Sequence, residues 1–203
     1  MTRGARARLF VAIDPPRKVR EELLSWARGA LTRLHSQRGR DGAADVRVLE
    51  PEALHVTLCF LGSRPVEEID AIGAVLERCA AHVGELSLGA PLWLPPRRPR
   101  ALAVELHDAE GGLARLQGSL REALVQATDW EAERRRFRAH ITVARLRGRG
   151  GGRRSTPADP LALPATPPLR FVPESVVLYR SWLSPAGASY EALACTDLLA
   201  AGL

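Results

Sequence analysis

The 203-residue sequence predicts an α+β fold of two pseudo-symmetric lobes, and three observations lead to this class. Segments with strand and helix patterns interleave along the chain. The strand candidates alternate apolar and polar side chains, which favours antiparallel sheets over a fully buried parallel sheet. The order strand, helix and strand with His-x-Thr occurs in each half as a weak internal repeat. We therefore expect one domain over residues 1–203, made of two intertwined lobes that face each other.

In the first part of the chain, an apolar run that ends at an Asp-Pro-Pro turn predicts a strand. Apolar residues spaced by three and four predict the helix after it. A polar, glycine-rich stretch predicts a loop, and two short apolar runs predict strands, the second ending at Gly62. The predicted elements are strands over 8–13, 46–49 and 54–61, a helix over 19–34 and a loop over 36–45.

The remainder continues the same alternation. Proline at a helix start with acidic residues in the first turn predicts the second helix, and a leucine repeat predicts the third. Two alternating segments near the end, joined by Ser184 to Gly187, predict a hairpin. The predicted elements are helices over 65–83 and 110–128, strands over 86–94, 101–106, 137–146, 175–183 and 190–198, and a glycine-, arginine- and proline-rich connection over 147–168.

The charge of the chain is carried almost wholly by arginine. The net charge is +6, and Lys18 is the only lysine among 29 basic residues. Because guanidinium groups bind phosphate oxygens in a planar, bidentate manner, this bias is consistent with a phosphate-bearing partner. Arginine-rich composition through GC-rich coding is the alternative explanation. The clusters are Arg97, Arg98 and Arg100; Arg134 to Arg136; and Arg147, Arg149, Arg153 and Arg154.

The cysteines and the N-terminus bear on the compartment. Cys59, Cys79 and Cys195 have no paired spacing, so we expect neither a disulfide framework nor a zinc site. The apolar run after the first arginines is too short for a signal peptide, and no window approaches the roughly 18 apolar residues of a membrane span. We expect a soluble, monomeric cytoplasmic protein with no membrane association.

The most informative feature is a tetrapeptide that occurs twice, His55-Val-Thr-Leu and His140-Ile-Thr-Val. In a strand, residues i and i+2 share a face. Each tetrapeptide therefore presents an imidazole beside the hydroxyl of Thr57 or Thr142, while its apolar residues face the core. Taken alone, either histidine would be interpreted as a structural residue.

This pair of strands suits in-line displacement at phosphorus. One imidazole can accept a proton from the attacking oxygen while the other donates one to the leaving oxygen, because the pKa of histidine lies near neutrality. Threonine hydroxyls and an arginine can stabilise the non-bridging oxygens. This chemistry requires no metal or other cofactor. Metal ligation is the rival interpretation, but neither motif has Asp, Glu or Cys beside it at ligand spacing.

Four separated blocks closely resemble one family over nearly the whole chain. They are Arg8 to Asp14, Leu54 to Gly62, Phe137 to Arg145, and Ser181-Trp182-Leu183 with Gly187 and Tyr190. In this order they resemble the bacterial and archaeal RNA 2′,3′-cyclic phosphodiesterases, also called 2′-5′ RNA ligase-like proteins, of the 2H phosphoesterase superfamily. The resemblance implies a bilobal fold whose two antiparallel sheets flank a central cleft, with the His-x-Thr strands facing each other.

The resemblance also implies a reaction and residue roles. The reaction is hydrolysis of a terminal 2′,3′-cyclic phosphate, on RNA or a nucleotide, to a 2′-phosphomonoester. His55 would be the proton donor to the departing 3′ oxygen, and His140 the proton acceptor that activates water. Thr57 and Thr142 would bind phosphate oxygens. In the reverse sense the same groups would join a cyclic phosphate to a 5′-hydroxyl as a 2′-5′ linkage.

Arg145 matches the arginine that follows the second family motif and is a third phosphate-binding candidate. Strict alternation places it on the face opposite His140 and Thr142, so it needs a bulge, a twist or the strand end to reach the cleft. A solvated strand-end arginine is the alternative. Phe10, Trp182 and Tyr190 are expected mainly in packing roles, with stacking on a base as the alternative.

Two other functional classes stay open at this point. The first is a phosphodiesterase for another small cyclic nucleotide or for 2′-5′ oligonucleotides. The second is a nucleotide- or RNA-binding module without turnover. The presence of both histidines and both threonines favours an enzyme. If the lobes face each other as expected, the arginine clusters that flank the second motif strand are positioned to attract an RNA backbone.

Overall fold

The computed structural model describes residues 4–38, 46–96, 99–146, 163–184 and 187–199. Its strands are β1 (Arg6–Ile13), β2 (Val46–Val48), β3 (Val56–Pro65), β4 (Leu86–Leu94), β5 (Ala101–Asp108), β6 (His140–Leu146), β7 (Arg170–Phe171), β8 (Ser175–Ser184) and β9 (Gly187–Asp197). Its helices are α1 (Arg17–Arg38), α2 (Ile69–Cys79) and α3 (Gly112–Ala127). Short 3₁₀ turns cover Pro51–Ala53 and Val66–Glu68.

The strands form two antiparallel sheets. One has the order β3-β1-β8-β9 and the other β2-β6-β5-β4-β7. Neighbouring strands in both sheets run antiparallel. Helices pack against these sheets, so the predicted α+β class with two antiparallel sheets is confirmed.

The internal repeat is visible in the pairing. In one sheet β1 pairs with β3, and in the other β5 pairs with β6, so each His-x-Thr strand lies beside the strand that opens its repeat. The intervening helices do not stay with their own sheet. Helix α1 follows β1 yet contacts β2 and β6, while α3 contacts both β3 and β5. This crossing places β3 and β6 against each other, and the two strands are in contact.

The core is built from the faces that the periodicities predict. The apolar stripe of α1, including Leu23, Leu24 and Ala27, is buried, as are Ile72, Val75 and Leu76 of α2. Burial of a leucine-sized side chain contributes about 1.5–3 kcal/mol relative to exposure, so these stripes hold the helices on the sheets. No helix within the described ranges is long and apolar enough to cross a lipid bilayer.

Several element boundaries differ from the sequence prediction. Helix α2 (Ile69–Cys79) is shorter than the predicted 65–83, and β6 begins at His140 instead of residue 137. Helix α1 runs on to Arg38, where the hydroxyls of Thr32 and Ser36 donate back to carbonyls four residues earlier. Strand β3 continues past Gly62, which has a φ of 71° and pairs with Leu9 at a break in register, so this glycine forms a bulge instead of ending the strand. The edge strand β7 pairs with β4 at residues 170–171, which follow the predicted connection over 147–168 and for which no element was predicted.

Candidate active site

The two His-x-Thr strands form facing walls of one cleft with a volume of about 810 Å³. His55 lies immediately before β3 and Thr57 within it, whereas His140 opens β6 and Thr142 follows on the same face. All five side chains singled out in the sequence line this cleft: His55, Thr57, His140, Thr142 and Arg145.

Arg145 reaches the cleft through a β-bulge. Opposite β5, Ala103 pairs with Thr142 but Leu102 pairs with Ala144, so Val143 has no partner of its own. Val143 and Ala144 are both buried, which breaks the alternation of the strand. The extra residue returns Arg145 to the face of Thr142. Of the three explanations given from the sequence, which were a bulge, a twist and the strand end, the structure therefore has the bulge.

Strand β3, which carries the first motif, also contains a β-bulge. Ala12 pairs with Thr57 but Val11 pairs with Cys59, which leaves Leu58 as the inserted residue. Phe60 consequently takes the place on β3 that Arg145 has on β6, and it also lines the cleft. The walls are thus related in backbone geometry but differ in side chain, with an aromatic ring on one and a guanidinium on the other.

Each imidazole is engaged with backbone two residues before it. Nδ1 of His140 lies 2.7 Å from the carbonyl oxygen of Arg138, so this nitrogen carries the proton and donates it. Nε2 is then the unprotonated nitrogen of the neutral ring, available to accept a proton. His55 makes a corresponding hydrogen bond with the backbone of Ala53. In both motifs the histidine is therefore hydrogen-bonded to the backbone of the residue two positions before it.

The pKa of His55 is lowered to about 4. Burial of the ring is the largest cause, and the positive charge of Arg145 is the second. The charge of His140 acts in the same direction, while the hydrogen bond with Ala53 opposes it. At neutral pH, His55 is therefore uncharged. Arg145 and His55 line the same cleft.

Aromatic rings enclose His55. Its ring centroid lies 4.8 Å from that of Phe10 and 5.2 Å from that of Tyr190. Phe10 is buried and stacks in turn on Tyr179, with centroids 5.2 Å apart. Tyr190 lines the cleft, whereas Trp182 is 42% exposed and its ring is covered by the guanidinium of Arg180. Of the three aromatic residues considered from the sequence, Phe10 packs in the core and Tyr190 is placed to meet a ligand.

Helix α3 contributes residues that the sequence did not indicate. Gln117 and Arg121 line the cleft, and Nε2 of Gln117 donates to the carbonyl oxygen of the inserted Leu58 over 3.4 Å. The apolar periodicity of α3 distinguishes only core from surface positions. It does not indicate that surface residues of this helix line the same cleft as the two motifs. Cys59 also lines the cleft, but burial raises its pKa to about 12, which keeps the thiol protonated and unreactive as a nucleophile.

The arginine clusters divide between the cleft and the undescribed part of the chain. Arg100 and Arg134 to Arg136 line the cleft. Arg97, Arg98 and the cluster over 147–154 lie outside the described residues. Within the described ranges, His, Cys, Asp and Glu side chains form no group of three or more that is arranged to hold a metal ion.

Comparisons with known proteins agree with this architecture. Residues 15–181 match the model of the 2′-5′ RNA ligase superfamily. The RNA 2′,3′-cyclic phosphodiesterase of Thermus thermophilus is 32% identical over 92% of this chain and 87% of its own length. The enzyme of the same name from Escherichia coli is 32% identical over 68% of this chain and 71% of its own length.

Solved structures extend the likeness to the fold. The crystal structure of TT0787 of Thermus thermophilus matches with a TM-score of 0.66 and 28% identity, covering 94% of this chain and 97% of that one. Escherichia coli LigT complexed with 3′-AMP matches with a TM-score of 0.72 and 24% identity, covering 96% and 99%. With the family match over most of the chain, these findings show that the protein belongs to the 2′-5′ RNA ligase superfamily.

Proposed function

We propose that the protein hydrolyses the 2′,3′-cyclic phosphate at the end of RNA to a 2′-phosphomonoester, with His55 and His140 as the two proton-transfer groups. One observation carries the proposal: both His-x-Thr pairs and Arg145 line a single cleft. The activity named for the relatives from Thermus thermophilus and Escherichia coli supports the reaction. Two imidazoles supply both proton transfers, so the mechanism needs no metal ion.

In this mechanism water attacks phosphorus opposite the 3′ oxygen. Nε2 of His140 accepts the proton of the water, because the Nδ1 proton of this ring is held by the carbonyl of Arg138. As the new P–O bond forms, the bond from phosphorus to the 3′ oxygen breaks. His55 donates a proton to that oxygen, which leaves as a hydroxyl. The phosphate remains on the 2′ oxygen.

The low pKa of His55 fits a donor that is charged only when substrate is present. Burial is the largest cause of the lowered pKa, and the charge of Arg145 is the second. A cyclic phosphodiester brings a negative charge between the two walls, and this charge offsets that of Arg145 and favours the imidazolium form. The substrate thus raises the pKa of the group that must protonate its leaving oxygen.

The remaining side chains stabilise charge on the non-bridging oxygens. Thr57 and Thr142 donate hydrogen bonds from opposite walls, and Arg145 supplies a positive charge on the β6 side. Removal of one such donor from an active site lowers kcat by about 10²–10³. If a 5′-hydroxyl replaced water as the attacking group, the same proton transfers would form a 2′-5′ linkage.

The proposal is tested by product analysis. An oligoribonucleotide with a 2′,3′-cyclic phosphate end is incubated with the purified protein in EDTA, and the products are separated and compared with 2′- and 3′-phosphate standards. We expect the 2′-phosphate. An intact cyclic end would overturn the activity, and a 3′-phosphate would reverse the donor and acceptor roles of His55 and His140.

A further inference from the structure

One wall of the cleft is rich in arginine beyond the His-x-Thr pairs. The segment between α3 and β6 lines the cleft through Glu133 to Arg138, and Arg121 of α3 joins it. The side chains of Arg134, Arg135 and Arg136 are exposed to solvent. Glu133 is the single carboxylate among the described lining residues, against seven arginines. We call Arg121 and Arg134 to Arg136 the basic wall.

The segment that carries Arg134 to Arg136 is held at both ends. On one side, Nε1 of Trp130 donates to the carbonyl oxygen of Phe60 over 3.2 Å. On the other, Arg138 forms an ion pair with Glu105 at 2.9 Å, and the carbonyl oxygen of Ala139 accepts from the backbone of β5. Since both ends of the segment are fixed, its backbone loses little freedom when a ligand binds.

The basic wall is continuous with the proposed reaction site. Arg121 and Glu133 line the same cleft as Cys59, the residue that follows the β3 bulge. At its other end the segment enters β6 at His140, four residues after Arg136. A ligand that extends from the space between the histidines therefore meets this wall.

We propose that the basic wall binds the linking phosphates of the RNA strand on the 5′ side of the cyclic phosphate. This inference rests on the proposed function. A 2′,3′-cyclic phosphate closes the 3′ end, so the strand continues only through the 5′ oxygen of the terminal nucleotide. Guanidinium groups match phosphate oxygens in geometry and charge. Within the segment between α3 and β6, Arg138 is paired with Glu105, so we assign this role to Arg134 to Arg136 together with Arg121 of α3.

The wall therefore separates substrates by the number of their phosphates. A cyclic mononucleotide with a free 5′-hydroxyl offers it none, a 5′-phosphorylated cyclic mononucleotide offers one, and a trinucleotide with a cyclic end offers two linking phosphates. For the wild-type protein we expect kcat/KM to rise along this series and to fall with salt most steeply for the trinucleotide.

The test compares Arg134→Ser/Arg135→Ser/Arg136→Ser with a control triple variant of the same net charge. The control replaces Arg28, Arg33 and Arg78, which are exposed on α1 and α2. We expect the first variant to lower the ratio of trinucleotide to mononucleotide kcat/KM by at least about tenfold, and the control to leave it unchanged. The salt dependence of trinucleotide affinity, as log K against log salt, should become shallower by about 0.7 for each lost phosphate contact.

Equal ratios in the wild type and the first variant, or equal losses in both variants, would overturn the basic wall as a phosphate site. Failure of the proposed function is distinguishable, because the wild-type protein would then cleave none of the three substrates. Fluorescence anisotropy with a labelled trinucleotide that ends in a 3′-phosphate provides a readout independent of turnover. In that assay, too, only the first variant should bind more weakly.

Discussion

The imidazole of His55 packs against the phenyl ring of Phe10, with ring centroids 4.8 Å apart and planes tilted by 35°. Phe10 in turn stacks on Tyr179, whose hydroxyl donates to Oδ2 of Asp14 over 2.6 Å. A half-buried hydrogen bond thus fixes an aromatic pair, and this pair packs against the ring of His55. The same rings shield part of the imidazole from water, and burial is the largest cause of its lowered pKa.

The first prediction concerns the Phe10 ring, which is 4% exposed. Phe10→Ala should lower the free energy of unfolding by about 3–5 kcal/mol, because it removes a buried ring and leaves a cavity beside His55. Denaturant unfolding measures this change. Val172→Ala is the control, since Val172 is 51% exposed and its truncation should cost less than about 0.5 kcal/mol. Equal effects would show that Phe10 does not pack as described.

The second prediction concerns the charge that Arg145 exerts on His55. Arg145→Gln removes one cause of the lowered pKa, so the pKa of His55 should rise from about 4 toward its ordinary value of 6.5. Burial stays in place, so the rise is partial. Titration of the imidazole proton resonances by NMR measures it, with Arg28→Gln as the control. An unchanged titration midpoint would place Arg145 away from the ring.

The third prediction is a pH dependence of stability. His55 has a pKa near 4 in the folded protein and an ordinary value of 6.5. Between these values the unfolded chain binds a proton that the folded protein does not. The free energy of unfolding should therefore fall as the pH drops from about 6.5 to 4, by up to about 1.4 kcal/mol per pH unit.

A comparison with His55→Gln isolates the contribution of His55 to the pH dependence of the free energy of unfolding. Other groups titrate in the same range, but they are shared by both proteins, so the difference between the two stability curves reports on His55. We expect the wild-type curve to be the steeper between pH 6.5 and 4. Parallel curves would argue against a lowered pKa at this position.

The fourth prediction concerns the hydrogen bond from Tyr179 to Asp14. Tyr179→Phe leaves a half-buried carboxylate without this donor and should lower the free energy of unfolding by about 1–3 kcal/mol. It should also raise the pKa of Asp14 further, because burial already raises that pKa and the hydrogen bond opposes it. A double-mutant cycle with Asp14→Ala, which removes the acceptor, separates the coupling energy of this pair from general packing effects. A coupling energy near zero would contradict a direct bond.

The pairing of His55 with Thr57, and of His140 with Thr142, could be predicted because side-chain alternation in a strand is a local rule. The strands, helices and apolar stripes were predictable for the same reason, since their periods are written in neighbouring residues. The antiparallel class was predicted from the half-polar strands, and the structure has two antiparallel sheets.

The bulges at Leu58 and Val143 could not be predicted, because a bulge is defined by the register with a partner strand distant in sequence. The position of Arg145 depended on this detail. The contribution of Arg121 was hidden for a related reason, since a surface arginine on a helix carries no sign of the strand it faces. The features that could not be predicted depend on contacts between residues distant in sequence, and not on residue type.

The central claim is that His55 and His140 act together as acid and base in one cleft. The most direct measurement is kcat/KM on a 2′,3′-cyclic mononucleotide in EDTA for the wild type, His55→Ala, His140→Ala and the double variant. The account predicts a loss of about 10²–10⁴ for each single variant, and a double variant much less impaired than the product of the two losses. A single variant that kept the wild-type kcat/KM would contradict it.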